Sequence, residues 1–95
     1  LRLVVERVAE IAPATRSFLL RLPAGRGLSF RPGQFLSLAL PVAEKPIVRA
    51  YSIASFPEDG ECLEICLDRV PGGPGSEYLF GLAEGAEIEG SGPWG

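Results

Sequence analysis

The 95-residue sequence predicts an all-β domain, a small antiparallel barrel with one short helix over an opening. Three observations carry that reading. Short apolar runs alternate with period two, clusters of Pro, Gly and Asp separate them, and only one late segment has helical spacing. Residues 1–11 read as a first strand that ends before Pro13. Residues 15–22 alternate, with Phe18, Leu20 and Leu22 on one face, and stop at Pro23-Ala24-Gly25. Arg31-Pro32-Gly33-Gln34 has Pro and then Gly where a type II turn needs them, and it launches a third strand over 35–40 that Pro41 closes. Pro46 precedes a fourth strand, and Pro57-Glu58-Asp59-Gly60 is a tight turn after it. In a fifth strand Leu63, Ile65 and Leu67 alternate with Cys62, Glu64, Cys66 and Asp68.

The pattern then changes. Val70-Pro71-Gly72-Gly73-Pro74-Gly75 is too rich in glycine for a regular element. Ser76 reads as a helix N-cap and Glu77 as a first-turn acid. Tyr78, Leu79 and Leu82 are at helical spacing, giving one short helix that ends near Gly85. Residues 86–89 form a last strand, and Gly90-Ser91-Gly92-Pro93-Trp94-Gly95 follows without closing any element.

Bulk properties narrow the function. The length suits a single domain over residues 1–95, and the 46% hydrophobic and 22% charged content is that of a globular chain. A net charge of −3 argues against a general nucleic-acid or anionic-membrane binder. The apolar runs are too short for a membrane span or a secretory signal, so the expected setting is cytoplasmic, without membrane insertion. Histidine is absent, which leaves hydrolytic triads and most zinc sites without a foundation; no metal ligands are assigned. Cys62 and Cys66 would sit about 13 Å apart along one strand, beyond disulfide reach, and read as two buried reduced thiols. The start at Leu1 without a methionine points to a chain taken from something longer.

Two stretches carry chemistry. On the fourth strand, Ile47-Val48-Arg49-Ala50-Tyr51-Ser52-Ile53-Ala54, alternation puts Arg49, Tyr51 and Ile53 on one face. A guanidinium beside a phenol ring can take a phosphate at one end and a flat aromatic ligand at the other, with the Ser52 hydroxyl next in line. Further on, the glycines before Ser76 let the backbone approach a bulky anion at a helix start. Each part alone is commonplace: a capped helix, a strand aromatic, a solvated arginine. Their ordered combination has the shape of a flavin-nucleotide site.

Arg49-Ala50-Tyr51-Ser52 followed by Gly73-Pro74-Gly75-Ser76 resembles the flavin-binding domain of the ferredoxin–NADP reductase family, with its R-x-Y-[ST] strand and G-x-x-[ST] helix start. Arg31-Pro32-Gly33-Gln34-Phe35, Leu82-x-x-Gly85 and Gly92-Pro93-x-Gly95 match in the same order, so the resemblance runs through nearly the whole chain. It implies a six-stranded antiparallel Greek-key barrel with one short capping α-helix. It also implies roles. Arg49 pairs with the flavin pyrophosphate, Tyr51 stacks on the isoalloxazine, and Ser52 hydrogen-bonds the N5/O4 edge; Tyr51 and Ser52 are the residues nearest the chemistry. The backbone of Leu67, Asp68 and Arg69 lines the ribityl and phosphate path. Gly73, Pro74, Gly75 and Ser76 cradle the pyrophosphate through backbone N–H groups and the Ser76 hydroxyl. The implied cofactor is FAD, with FMN the lesser choice.

The implied activity is electron transfer from NAD(P)H through the flavin to a ferredoxin, an iron–sulfur protein or an oxygenase. Family members continue past the G-P-x-G motif into a parallel α/β domain that binds the nicotinamide nucleotide. This chain stops at Gly95, so it is expected to be a fragment or a separate flavin module that needs such a domain or subunit as partner. Two rivals remain: an electron-transfer subunit of a multi-subunit dehydrogenase or hydrogenase, and a non-catalytic barrel used only for binding. The second needs a basic aromatic face, which this acidic chain lacks.

Overall fold

In a computed structural model the described residues are 1–23, 31, 33–42, 44–55 and 61–95, with residue 55 described by its backbone alone. The strands are β1 (Arg2–Ala12), β2 (Thr15–Arg21), β3 (Phe35–Leu40), β4 (Ile47–Ser55), β5 (Cys62–Asp68) and β6 (Glu87–Trp94), with one helix, α1 (Pro74–Phe80), between β5 and β6. Every ladder is antiparallel, and the strands close a barrel in the order β1-β2-β5-β4-β3-β6. Three pairings join strands that are not neighbours in sequence, β2 with β5, β3 with β6 and the closing β1 with β6, and they make the connectivity that of a Greek key. The expected fold class is therefore the observed one.

Alternation explains why the strands close. Leu36, Leu38 and Leu40 on β3, Leu63, Ile65 and Leu67 on β5, and Phe18 and Leu20 on β2 point into one core. Leu79 brings α1 onto that core with no exposed surface. The helix is also fixed from its far end. The Arg16 guanidinium donates to the Phe80 carbonyl at 2.8 Å and lies 4.8 Å from the Phe80 ring centroid, while Phe18 meets that ring edge-on.

Four sequence expectations are corrected. Strand β6 does not stop at residue 89 but continues to Trp94, pairing with Phe35, Ser37, Leu38 and Ala39 of β3. The glycines there serve close packing. A Cβ on Gly90 would lie 3.0 Å from Leu3 Cδ1 and 3.1 Å from Leu38 Cδ2. The helix is shorter than expected: Gly73 is its N-cap and Gly81 its C-cap. Ser76 is not the cap, because Pro74 at the first helical position pulls the start three residues earlier. The thiols also differ from expectation, since Cys62 is buried but Cys66 is exposed. Both face outward on β5, and only Cys62 is covered. The turns expected at residues 57–60, over Pro23-Ala24-Gly25 and at Arg31-Pro32-Gly33-Gln34 lie wholly or partly outside the described residues.

Candidate nucleotide-binding site

Strand β4 has two unlike edges. Toward β3 it is paired continuously from Ile47 to Ser52. Toward β5 it pairs only through Ile53 with Ile65 and Ser55 with Glu64. The Ile53 N–H donates to the Gln34 carbonyl at 2.9 Å, which fixes the parity of the ladder. In an antiparallel pair such bonded positions alternate, so the backbone of Arg49 and Tyr51 also faces β3. The N–H and C=O groups of Ala50 and Ser52 then face the gap on the β5 side. Consistent with this, the Val48 carbonyl accepts a bond from the Arg49 guanidinium at 3.0 Å instead of a ladder bond.

A cleft of about 280 Å³ lies beside that open edge, walled by Arg49 and Tyr51, by Leu67, Asp68 and Val70, and by the loop Gly73-Pro74-Gly75-Ser76. The two stretches singled out in the sequence meet here, although even Tyr51 and Gly73 are 22 positions apart. The contact is tight at one glycine. A Cβ on Gly75 would be 2.8 Å from Tyr51 Oη and 3.1 Å from Arg49 Cγ, so only a residue without a side chain allows this approach.

The electrostatics suit an anion beside a neutral ring. Arg49 is exposed and forms no salt bridge among the described residues. Burial pushes the Tyr51 phenol above its ordinary value, against the smaller opposing pull of Arg49, so near neutrality it stays an uncharged donor. Asp68 lines the cleft, but its carboxylate accepts from the Thr15 hydroxyl at 2.6 Å. Gly73 spends its N–H on the Val70 carbonyl at 2.8 Å and Pro74 has none, which leaves Gly75 and Ser76 as the loop's backbone donors.

Two expected site residues are not among those walling the cleft. Ser52 is exposed and lies opposite Phe35, with its side chain on the other face of β4 from Tyr51; it is next to the open edge only through its backbone. Arg69 turns away and holds Glu77 through two N–H···O bonds of 2.6 and 3.2 Å, while its own N–H goes to the Ala14 carbonyl. Val70, an exposed wall of the cleft, was not singled out from sequence, where it reads only as the first residue of the glycine-rich loop. A second depression of about 300 Å³ lies between β1, β3 and β6, floored by Ala39, Pro41 and Pro46. Arg2 lies at its rim and is neutralised there by Glu87 and Glu89, so among the described residues that line it there is no free cation. Among the described residues no His, Cys, Asp or Glu cluster could hold a metal, and no helix is long and apolar enough to cross a membrane.

Fold and cleft together define a nucleotide-binding barrel. The chain belongs to the family of oxidoreductase FAD-binding domains, which it matches over residues 2–95. It is 38% identical over 88 residues to ferredoxin–NADP reductase B of Sorangium cellulosum, covering 93% of this chain and 36% of that protein. The cytochrome P450 reductase GcoB of Amycolatopsis superposes over all of this chain and 28% of its own, with a TM-score of 0.85 and 38% identity. A ferredoxin NADP+ reductase from Neisseria gonorrhoeae with bound FAD and NADP covers 97% of this chain and 38% of its own, with a TM-score of 0.77 and 25% identity. The chain thus spans between 28% and 38% of the length of these relatives. The residues present fit FAD: a cation without a salt-bridge partner among the described residues, a glycine approach that a Cβ would fill, and an aromatic wall.

Proposed function

We propose that this chain is the FAD-holding part of an NAD(P)H-dependent oxidoreductase that passes electrons from a nicotinamide nucleotide to a protein acceptor. The observation that carries this reading is the meeting of Arg49 and Tyr51 with Gly75 across the cleft. Arg49 binds the pyrophosphate, helped by the Gly75 and Ser76 amides of the loop that Gly73 and Pro74 shape. Tyr51 supports one face of the isoalloxazine with an uncharged ring. The open edge of β4 offers the Ser52 N–H to the flavin's polar edge, and the backbone of Leu67, Asp68 and Arg69 flanks the ribityl chain. When bound, FAD supplies the step between two-electron and one-electron transfer; the chain's own residues bind and orient it.

A nicotinamide-nucleotide-binding domain, in the same polypeptide or a partner, completes the activity, and the acceptor is a ferredoxin, another iron–sulfur protein or an oxygenase. The names of the relatives support this, as does their greater length. The cytoplasmic setting expected from the sequence belongs to this reading.

The test is a titration of the flavin-free chain with FAD, read by flavin fluorescence. Removing a charge-assisted contact costs about 1.5–3 kcal/mol. Arg49→Ala should therefore weaken FAD roughly 10- to 150-fold, and riboflavin, which has no phosphate, should be little affected. An unchanged FAD affinity in the folded variant refutes the role of Arg49.

A further inference from the structure

Helix α1 supplies one wall of the cleft and is only 7 residues long, too short to hold its place without tertiary contacts. Its last turn contains no basic residue to meet the carbonyl end. The cation comes instead from β2, 64 positions away in sequence. The Arg16 guanidinium donates to the Phe80 carbonyl at 2.8 Å and lies 4.8 Å from the Phe80 ring centroid. One side chain thus holds both the backbone and the ring of the last helical residue. It does so although a carboxylate is at hand. Glu10 is its cross-strand partner on β1, yet among the described residues Arg16 makes no salt bridge. Its partner on β5 is Leu67, which walls the cleft from the other side. Arg16 therefore ties the strand pair that carries Leu67 to the helix that carries Gly75. Gly75 is five steps from Phe80, about 7.5 Å along the axis, so a shift at one end is felt at the other.

We propose that Arg16 is a positioning residue for the nucleotide: its hold on Phe80 sets the height of α1 and so brings Gly75 against Tyr51 and Arg49 before the nucleotide arrives. This rests on the flavin reading above. Arg16 is not among the residues walling the cleft, so it acts through the helix alone.

The experiment compares the unaltered chain with Arg16→Ala, Arg16→Lys and Gly85→Ala. Affinities are measured for FAD and riboflavin, and the nuclear Overhauser contact between Gly75 and the Tyr51 ring is followed without flavin. Arg16→Ala should lose most of that contact and weaken FAD about tenfold, with riboflavin within about twofold. Arg16→Lys, which keeps a cation able to donate to the carbonyl, should restore the contact and bring FAD within about threefold of the unaltered chain. Gly85→Ala, strained away from the cleft, reports what lost stability alone does and should leave FAD affinity as it was. Unchanged FAD affinity in folded Arg16→Ala overturns the proposal. An equal loss in Gly85→Ala, or an equal loss for riboflavin, overturns it too, because either marks general damage. If Arg16→Ala does not fold, Phe80→Leu takes its place, since it removes the ring beside the guanidinium and leaves the carbonyl. It should weaken FAD about threefold, and unchanged affinity there overturns the proposal. Failure of the unaltered chain to bind FAD is seen separately and removes the flavin reading itself. The Overhauser contact still decides the clamp in that case, and its persistence without the Arg16 side chain contradicts it.

Discussion

Gly75→Ala separates fold from binding. The new Cβ would stand 2.8 Å from Tyr51 Oη and 3.1 Å from Arg49 Cγ. To reach ordinary contact the phenol must retreat by about 0.6 Å and the arginine stem by about 0.3 Å. Both are parts of movable side chains at a cleft wall, so the fold can yield. The backbone favours the change, since alanine is better than glycine in a helix by up to about 1 kcal/mol. Stability should therefore move by no more than about 1 kcal/mol, while two groups assigned to the nucleotide are both displaced. Losing the geometry of one charge-assisted contact is worth about 1.5 kcal/mol or more, so the FAD Kd should rise about tenfold. Thermal unfolding and a fluorescence titration measure the two quantities. Gly85→Ala should show the opposite pattern. Gly85 has φ +92° and open space around it, so alanine is strained by about 1–2 kcal/mol without touching the cleft. A folded G75A protein that binds FAD as tightly as wild type refutes the claim that this approach shapes the site.

The perturbed groups set both ends of the pH profile. Burial raises the folded-state value of Tyr51, so its contribution to stability is full below the unfolded value near 10.0 and is lost as pH rises through the folded one. Urea unfolding from neutral to strongly alkaline pH should show that decline, and Tyr51→Phe should flatten it. Glu6 and Glu77 are held below the ordinary carboxylate value, chiefly by hydrogen bonds from Arg21 and Arg69. Their contribution is present above the unfolded value of 4.5 and disappears as pH falls through the folded values. Acid unfolding should shift with Glu6→Gln or Glu77→Gln, and less in high salt, because both pairs are exposed.

Strand order and chemistry were legible in the sequence to different depths. Period-two alternation in Phe18–Leu20 and Leu63–Ile65–Leu67 marks core faces because a barrel buries one side of every strand. Arg49, Tyr51 and the glycine loop were legible because their residue types are costly or uncommon together unless a ligand uses them. The end of β6 was not legible. Gly90 and Gly92 read as breaks in a pattern, whereas they are where the strand presses on Leu3, Leu38 and Leu36. Ser76 was mistaken for a cap because capping is local chemistry, while the bond it makes reaches back to Val70 across a loop. The opening between β4 and β5 was invisible too, since alternation marks the face a residue takes and not where two strands stop pairing.

The most direct measurement is amide chemical-shift mapping of the isotope-labelled chain during titration with FAD. The largest shifts are expected at Arg49, Ala50, Tyr51 and Ser52 and along Leu67, Asp68, Val70, Gly75 and Ser76. Shifts centred instead on Arg2, Ala39, Glu87 and Glu89, around the second depression, would contradict the placement of the nucleotide.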